Sequence, residues 1–358
     1  MTNLTTSLAF ALQTCGHPPL ETAVSWRLIG QGAWHDAYLV EWAESRPLVI
    51  RLRKKIIYGE AEPFDAAELH SDYAQVGLYY TQANHCQAGI CPTPYDYYVS
   101  PELSFTVEGY LGERLDYTRL TAEEAFIFGR DIGRFFRRMH QQPAPLTGYG
   151  EVRWQEGQLR AEWPHTPAAV WREMQTAAAA QIALLTNHPL FQHDQIAPKV
   201  NIAVAQSTFA QEPFVLVNRD ITPENLIAQN NRFIGLIDPV VLLGNPTRFA
   251  ALFVYCYRFL LAAYNTAPRY AIHQFRQFQP LLQEIANGYL DGYTQGDLAL
   301  MRQIDYAYYL YLLDEAAQCY TSLQTPLTAR QILRQGNHEA IVTRLASCLH
   351  ELVEFSFC

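Results

Sequence analysis

Apolar and polar positions alternate in short runs through the first third of the chain, and further on they recur at helical spacing. Trp26-Arg-Leu-Ile29 leads into Gly30-Gln-Gly32, and Ala37–Trp42 and Pro47–Arg53 have the β-branched, alternating character of short strands. The two glycines mark a hairpin tip between the first two strands. From Phe64 to Cys86 apolar residues fall near helical spacing (Leu69, Tyr73, Val76, Tyr80, Ala83). Pro92-Thr-Pro94 ends that helix before strands at Asp96–Val99 and Leu103–Val107. The predicted order is three strands, a helix and two strands.

After Glu108-Gly-Tyr-Leu-Gly112 the period becomes helical. Helices are predicted over Glu123–His140, Trp171–Leu185, Arg248–Ala263, Ile272–Leu290, Leu298–Ser322 and Ala329–Phe355, with a β-rich island at Phe214–Val217 and Phe233–Ile237. This is an α+β chain. It divides into a small β-rich N-terminal lobe over 1–107, a Gly-containing connector or hinge at 108–112, and a larger helical lobe over 113–358. No internal repeat or low-complexity segment interrupts it.

A length of 358 residues exceeds what one hydrophobic core serves, which agrees with two lobes. The net charge of −9 supplies no basic face for a phosphate backbone, so no nucleic-acid partner is expected. Seven scattered cysteines do not form a secreted disulfide framework, and the first dozen residues lack the positive charge of a signal peptide. No apolar run is long enough to span a bilayer, so a cytoplasmic location without membrane partners is expected. His85, Cys86 and Cys91 lack a second ligand pair at zinc spacing, so no structural zinc is expected there.

The chemistry concentrates in Val217-Asn-Arg-Asp220-Ile-Thr-Pro-Glu-Asn225-Leu-Ile227, followed by Phe233-Ile-Gly-Leu-Ile-Asp238-Pro239. An Asp, an Asn five residues on, and a second Asp beyond the next strand suit phosphoryl transfer. One carboxylate orients a hydroxyl, while an amide oxygen and another carboxylate hold magnesium. Taken alone, Asp220-Ile-Thr-Pro223 also reads as a local turn.

The sequence resembles the aminoglycoside phosphotransferase family, which has a protein-kinase-like fold, a His-Gly-Asp-x-x-x-x-Asn loop and a following Ile-Asp-Pro or Ile-Asp-Trp. Other landmarks appear in order: Trp26–Trp42 as the nucleotide-covering hairpin, Val49-Ile-Arg51, Gly89-Ile-Cys-Pro-Thr-Pro94, Phe105–Gly112 as the hinge, Gly148-Tyr-Gly150 and Gly244-Asn-Pro246. The resemblance implies ATP or GTP as donor, Mg2+, and a small-molecule hydroxyl as acceptor. It implies Asp220 as the catalytic residue and Asn225 and Asp238 as metal ligands. Gly30 and Gly32 would approach the phosphates, Arg51 would hold them, and Glu108 and Tyr110 would offer backbone groups to the base. A plain hairpin turn competes for the glycines, and a solvated basic strand end (Arg53, Lys54, Lys55) competes for Arg51.

Several positions depart from the family pattern. Asn218 stands for the His before the catalytic Asp, Arg219 for its small neighbour, and Phe249 for a supporting Asp. The helix Glu that pairs with the strand cation should fall near Tyr79 or Tyr80, neither acidic, and Glu68 serves only if the helix register differs. These changes open an alternative, a catalytically impaired kinase-like nucleotide- or ligand-binding protein. The loop also resembles that of protein kinases, but Thr222 replaces their Lys and no Ala-Pro-Glu segment follows, which argues against peptide substrates. A tyrosine-rich, partly acidic stripe (Tyr255, Tyr257, Tyr264, Tyr306, Tyr308, Tyr309, Tyr311, with Asp305, Asp314, Glu315) is either an acceptor pocket or helix core.

Overall fold

The structure, a computed structural model, describes residues 3–57 and 60–358. It opens with helix α1 (Leu4–Thr14), an element the hydrophobic pattern does not mark. Asn3 caps it, and Leu8, Ala11 and Leu12 pack with Val40, Leu48, Ile50, Phe105 and Val107 of the sheet that follows. That sheet comprises β1 (Ser25–Gln31), β2 (His35–Glu41), β3 (Leu48–Arg53), β6 (Tyr95–Tyr98) and β7 (Phe105–Gly109), in the spatial order β1-β2-β3-β7-β6, every pair antiparallel. Between β3 and β6 lie a minimal hairpin, β4 (Ile56–Ile57) and β5 (Glu60–Ala61), and helix α2 (Ala66–Cys86), capped by Asp65. The predicted three strands, helix and two strands are all present.

Strand β8 (Glu113–Arg114) leaves this sheet and pairs with β12 (Leu226–Gln229), itself paired with β13 (Arg232–Leu236). Helix α3 (Ala122–His140) starts at a capping box of Thr121 and Glu124. A hairpin that the pattern leaves unmarked, β9 (Tyr149–Gln155) and β10 (Gln158–Trp163), joins β11 (Val215–Asn218) and β14 (Val241–Gly244) in a sheet ordered β10-β9-β14-β11. Ser71 Oγ of α2 accepts from the Trp154 amide at 2.7 Å, and His70 stacks on the Trp154 ring, so α2 rests on this second sheet as well as the first.

Helices α4 (Pro167–Leu185) and α5 (His193–Gln206) precede β11, and α5 is a further element beyond the predicted set. Beyond β14, α6 (Pro246–Tyr255) passes through a π-turn at Cys256–Leu260 into α7 (Leu261–Ala263). Helices α8 (Gln279–Thr294), α9 (Leu298–Ser322), α10 (Ala329–Gln335) and α11 (His338–Glu354) complete the chain. The last predicted helix is two helices, because Gly336, with φ of 90°, breaks it and Asn337 caps the second. Helix α8 begins later than expected, because Ala271–His273 form a 3-10 turn that ends at Gln274 in the left-handed region, φ 51°. Among the described residues no helix is long and apolar enough to cross a membrane, and all seven cysteines are free.

Candidate active site

The register of the first sheet decides what faces the site. Gly30 pairs with Ala37, Ala37 with Arg51, and Arg51 with Thr106. Cross-strand partners point to one face, and Glu108, two residues beyond Thr106 on β7, shares it. From that face Arg51 Nη2 reaches Asp238 Oδ2 at 2.7 Å, so the row that begins at Gly30 looks onto the segment carrying Asp238. A Cβ on Gly30 would sit 3.1 Å from Arg114 Nη2 of β8, so the absent side chain leaves room for that guanidinium beneath the hairpin.

The basic strand end separates into distinct roles. Lys54 Nζ donates to the Gly32 carbonyl (2.7 Å) and pairs with Asp36 (3.0 Å), which holds the hairpin tip. Arg53 lies over the Trp34 ring at 4.4 Å, and Lys55 donates to the Pro101 carbonyl. Three cations of this run thus serve the sheet and its loops, while Arg51 turns to Asp238.

Arg51 also lies 3.5 Å from Glu108 Oε1. The Glu108 carboxylate is buried, accepts from Thr106 Oγ1 at 2.7 Å, and takes a hydrogen bond from Tyr80 at 3.3 Å. Tyr80 in turn accepts from the Asp238 amide at 3.1 Å. Burial raises the Glu108 pKa, against which Arg51 and the Thr106 hydroxyl act. Burial alone would lower the Arg51 pKa; Asp238 and then Glu108 outweigh it and keep the guanidinium firmly charged.

Of Tyr79 and Tyr80, the two positions near which a helix Glu is expected, Tyr80 reaches both Glu108 and the Asp238 amide, whereas Glu68 sits on the exposed first turn of α2. The side chain of Glu108, expected to contribute backbone alone, lies inside the site. The Tyr110 amide donates to the Pro47 carbonyl at 3.0 Å, so of its two backbone groups it is the carbonyl that can meet a base.

Below the sheet, Asp220 follows β11 in a loop closed by a 3-10 turn over Pro223–Asn225. Asn218 Oδ1 accepts from the Asp220 amide (2.9 Å) and the Val240 amide (3.0 Å), tying this loop to the residues just after Asp238. Thr222 Oγ1 donates to Asp220 Oδ1 at 3.2 Å, and the Asn225 amide group donates to the Asp220 carbonyl at 3.5 Å. Tyr257, on the π-turn, donates to the Ile221 carbonyl at 3.0 Å. Burial and then the charge of Asp238 raise the Asp220 pKa, while Thr222 and Asn225 oppose the rise.

Asp238 itself has φ of 52°, a conformation Asp tolerates better than most side chains, and its carboxylate is half exposed. Asn225 donates through its nitrogen, which leaves its amide oxygen, like the Asp238 carboxylate, as an oxygen donor of the kind that suits a hard divalent cation such as magnesium.

Three features lie outside what the sequence pattern shows. Tyr80 enters it only as a place where an acid is missing, Arg114 sits on a two-residue strand too short for a pattern, and His273 pairs with Glu224 at 2.7 Å from a turn that mimics helical spacing. The tyrosine-rich stripe is chiefly core. Tyr255 and Tyr264 donate to Glu315, which pairs with the buried Arg344 at 3.0 Å, and Tyr309 donates to the Leu352 carbonyl. Phe249 packs against the Val215, Val217 and Leu242 cluster.

Residues 25–240 match the phosphotransferase enzyme family (APH), and the chain belongs to that family. No match is found among curated proteins. Among solved structures the chain is similar to aminoglycoside phosphotransferase APH(4)-Ia, with 12% identity, a TM-score of 0.56 and 96% of each chain covered. It is also similar to a thermostable mutant of that protein in ternary complex with AMP-PNP and hygromycin B, with 15% identity, a TM-score of 0.54, and 97% of this chain and 98% of that one covered. At these identities the likeness speaks for the fold. It is the protein-kinase-like fold, an antiparallel N-terminal sheet followed by a largely helical part.

Proposed function

We propose that this protein transfers the terminal phosphoryl group of ATP or GTP to a hydroxyl of a small molecule such as an antibiotic, a sugar or an amino alcohol. The observation that supports this best is the meeting of Arg51 on β3 with the loop that carries Asp220 and Asn225 and with Asp238 after β13. Asp220 accepts a hydrogen bond from the acceptor hydroxyl and orients it, and a carboxylate with a raised pKa is also a better proton acceptor than an ordinary Asp. Asn225 and Asp238 would hold magnesium, which when bound neutralises phosphate charge. Arg51 would hold the donor phosphates, and Gly30 and Gly32 would let backbone amides approach them. The N-terminal lobe over 1–107 and the remainder from 113 would hinge at 108–112 around this site.

A second reading, a kinase-like binding protein that turns over slowly or not at all, draws on the direct Arg51–Asp238 pair, which occupies one carboxylate oxygen of a proposed metal ligand. The replaced support at Asn218 argues less for it, since Asn218 holds two backbone amides of the site. The test is incubation with ATP or GTP, magnesium and a panel of hydroxyl compounds, read by mass spectrometry. A phosphoryl gain on a panel member supports the transferase; nucleotide binding with no gain on any compound supports the binding protein.

A further inference from the structure

The strand cation of the proposed nucleotide site is largely buried, beside two carboxylates of different character. Asp238, at 2.7 Å, is half exposed and lies on the segment proposed to hold the metal, whereas Glu108, at 3.5 Å, is 5% exposed and held in place by Thr106 and Tyr80. The helix position where an acid was expected carries the Tyr80 hydroxyl, and that hydroxyl spans the gap between Glu108 and the Asp238 backbone. A largely buried cation that lost Asp238 to a metal would stand uncompensated unless a second carboxylate remained.

We infer that Glu108, reaching across from β7, is the positioning residue for Arg51 and stands in for the acidic residue missing from α2. It compensates the guanidinium charge and keeps that group aimed into the cleft when Asp238 turns to other ligands. The Glu108 side chain acts through Arg51. The arrangement also accounts for a carboxylate in the middle of a sheet, where a buried acid without a cation would be costly. This inference rests on the nucleotide-binding reading above and names how that site is held.

The test compares affinity for ATP with magnesium against affinity for adenosine, or GTP against guanosine if the wild type prefers it, by calorimetric titration with melting temperature alongside. Glu108→Gln keeps the shape and can still accept from Thr106 and Tyr80, but removes the charge. Expected is a loss of about ten-fold or more in ATP affinity, the scale of a hydrogen bond to a charged group, with adenosine affinity unchanged. Adding Tyr80→Glu to Glu108→Gln returns a carboxylate from the helix side and is expected to restore most of the ATP affinity; a purely structural role for Glu108 would not be rescued this way. If Glu108→Gln does not fold, Thr106→Val, which withdraws only the hydroxyl that orients Glu108, carries the same comparison with a loss of about three-fold expected. An unchanged ATP-to-adenosine ratio in a folded variant, with wild-type binding intact, overturns the inference alone. A wild type that binds neither nucleotide overturns it together with the proposed function.

Discussion

Asp220 lies beside a like charge in a buried loop, and both conditions disfavour its ionised form. In the proposed reaction the ionised form orients the hydroxyl, so the acid limb of the pH–rate profile is expected above the ordinary aspartate range. Asp220→Asn should lower turnover by about two to four orders of magnitude, the range for a positioned general base, with nucleotide affinity retained. The stability effect has the opposite sign. A carboxyl whose pKa is raised on folding favours the folded state at low pH and loses that contribution as pH rises through its folded pKa. Asp220→Asn should therefore melt higher than wild type near pH 8 and show little difference near pH 3; an equal or lower melting temperature at both would contradict the assigned electrostatics. Asn218 is a support of another kind. Its side-chain oxygen serves two amides, so Asn218→Ala should cost about 1–3 kcal/mol in denaturant unfolding and disturb the Asp220 loop, whereas a neutral outcome would show that water replaces it.

Helices α3 and α8 show what glycine spacing does for an element pair. A Cβ on Gly129 would lie 1.9 Å from the Ile285 carbonyl, on Gly133 2.2 Å from that of Tyr289, on Gly288 1.9 Å from that of Phe126, and on Gly292 2.1 Å from that of Arg130. Numbering rises together on both helices, so they run parallel with backbones in direct contact. Neither backbone can shift without moving the other's carbonyls, so Gly129→Ala or Gly288→Ala should each cost more than about 3 kcal/mol by chemical denaturation, at or beyond the upper end for overpacking. A loss below about 1 kcal/mol would mean the pair slides freely. Periodicity alone reveals both helices, though not this contact, because it reports which face is buried and not how closely that face approaches. The same limit explains other differences. The segment from Ile272 mimics helical spacing because Ile272 lies in a tight turn and Phe275 just beyond it, although Phe275 is buried and Ile272 exposed. Pro198 inside α5 argues against a helix that tertiary packing nonetheless sustains through Ile196, Ala197 and Val200. The Asp220, Asn225 and Asp238 set is legible because all three lie within one short stretch, whereas Glu108, Tyr80 and Arg114 enter the site through strand register and helix docking that no local pattern encodes.

Across the whole molecule, the N-terminal part and the helical part share an apolar cluster, in which Tyr79, Ala83, Ile90 and Cys91 pack with Phe128, Ile132 and Phe136. Helix α2 packs on α3 through that cluster, it leans on β9, and the Arg51–Asp238 pair spans the cleft. The cleft contact differs from the other two, since one of its partners is a proposed metal ligand. In the proposed site magnesium and Arg51 would compete for the Asp238 carboxylate, and nucleotide phosphates would be the natural second partner for whichever cation is displaced. In wild-type protein, ATP affinity is expected to rise about ten-fold or more when magnesium is added, because Asp238 would help hold the ion that neutralises the phosphates. In Asp238→Ala that ligand is gone while Glu108 still compensates Arg51, so the fold should survive and the guanidinium would be free to meet phosphates directly. Metal-free ATP affinity should then equal or exceed that of wild type, and added magnesium should change it little. Calorimetric titration of both proteins, with and without the ion, measures all four affinities. The same magnesium dependence in wild type and Asp238→Ala would remove Asp238 from the metal site and leave its pair with Arg51 as a purely structural link across the cleft.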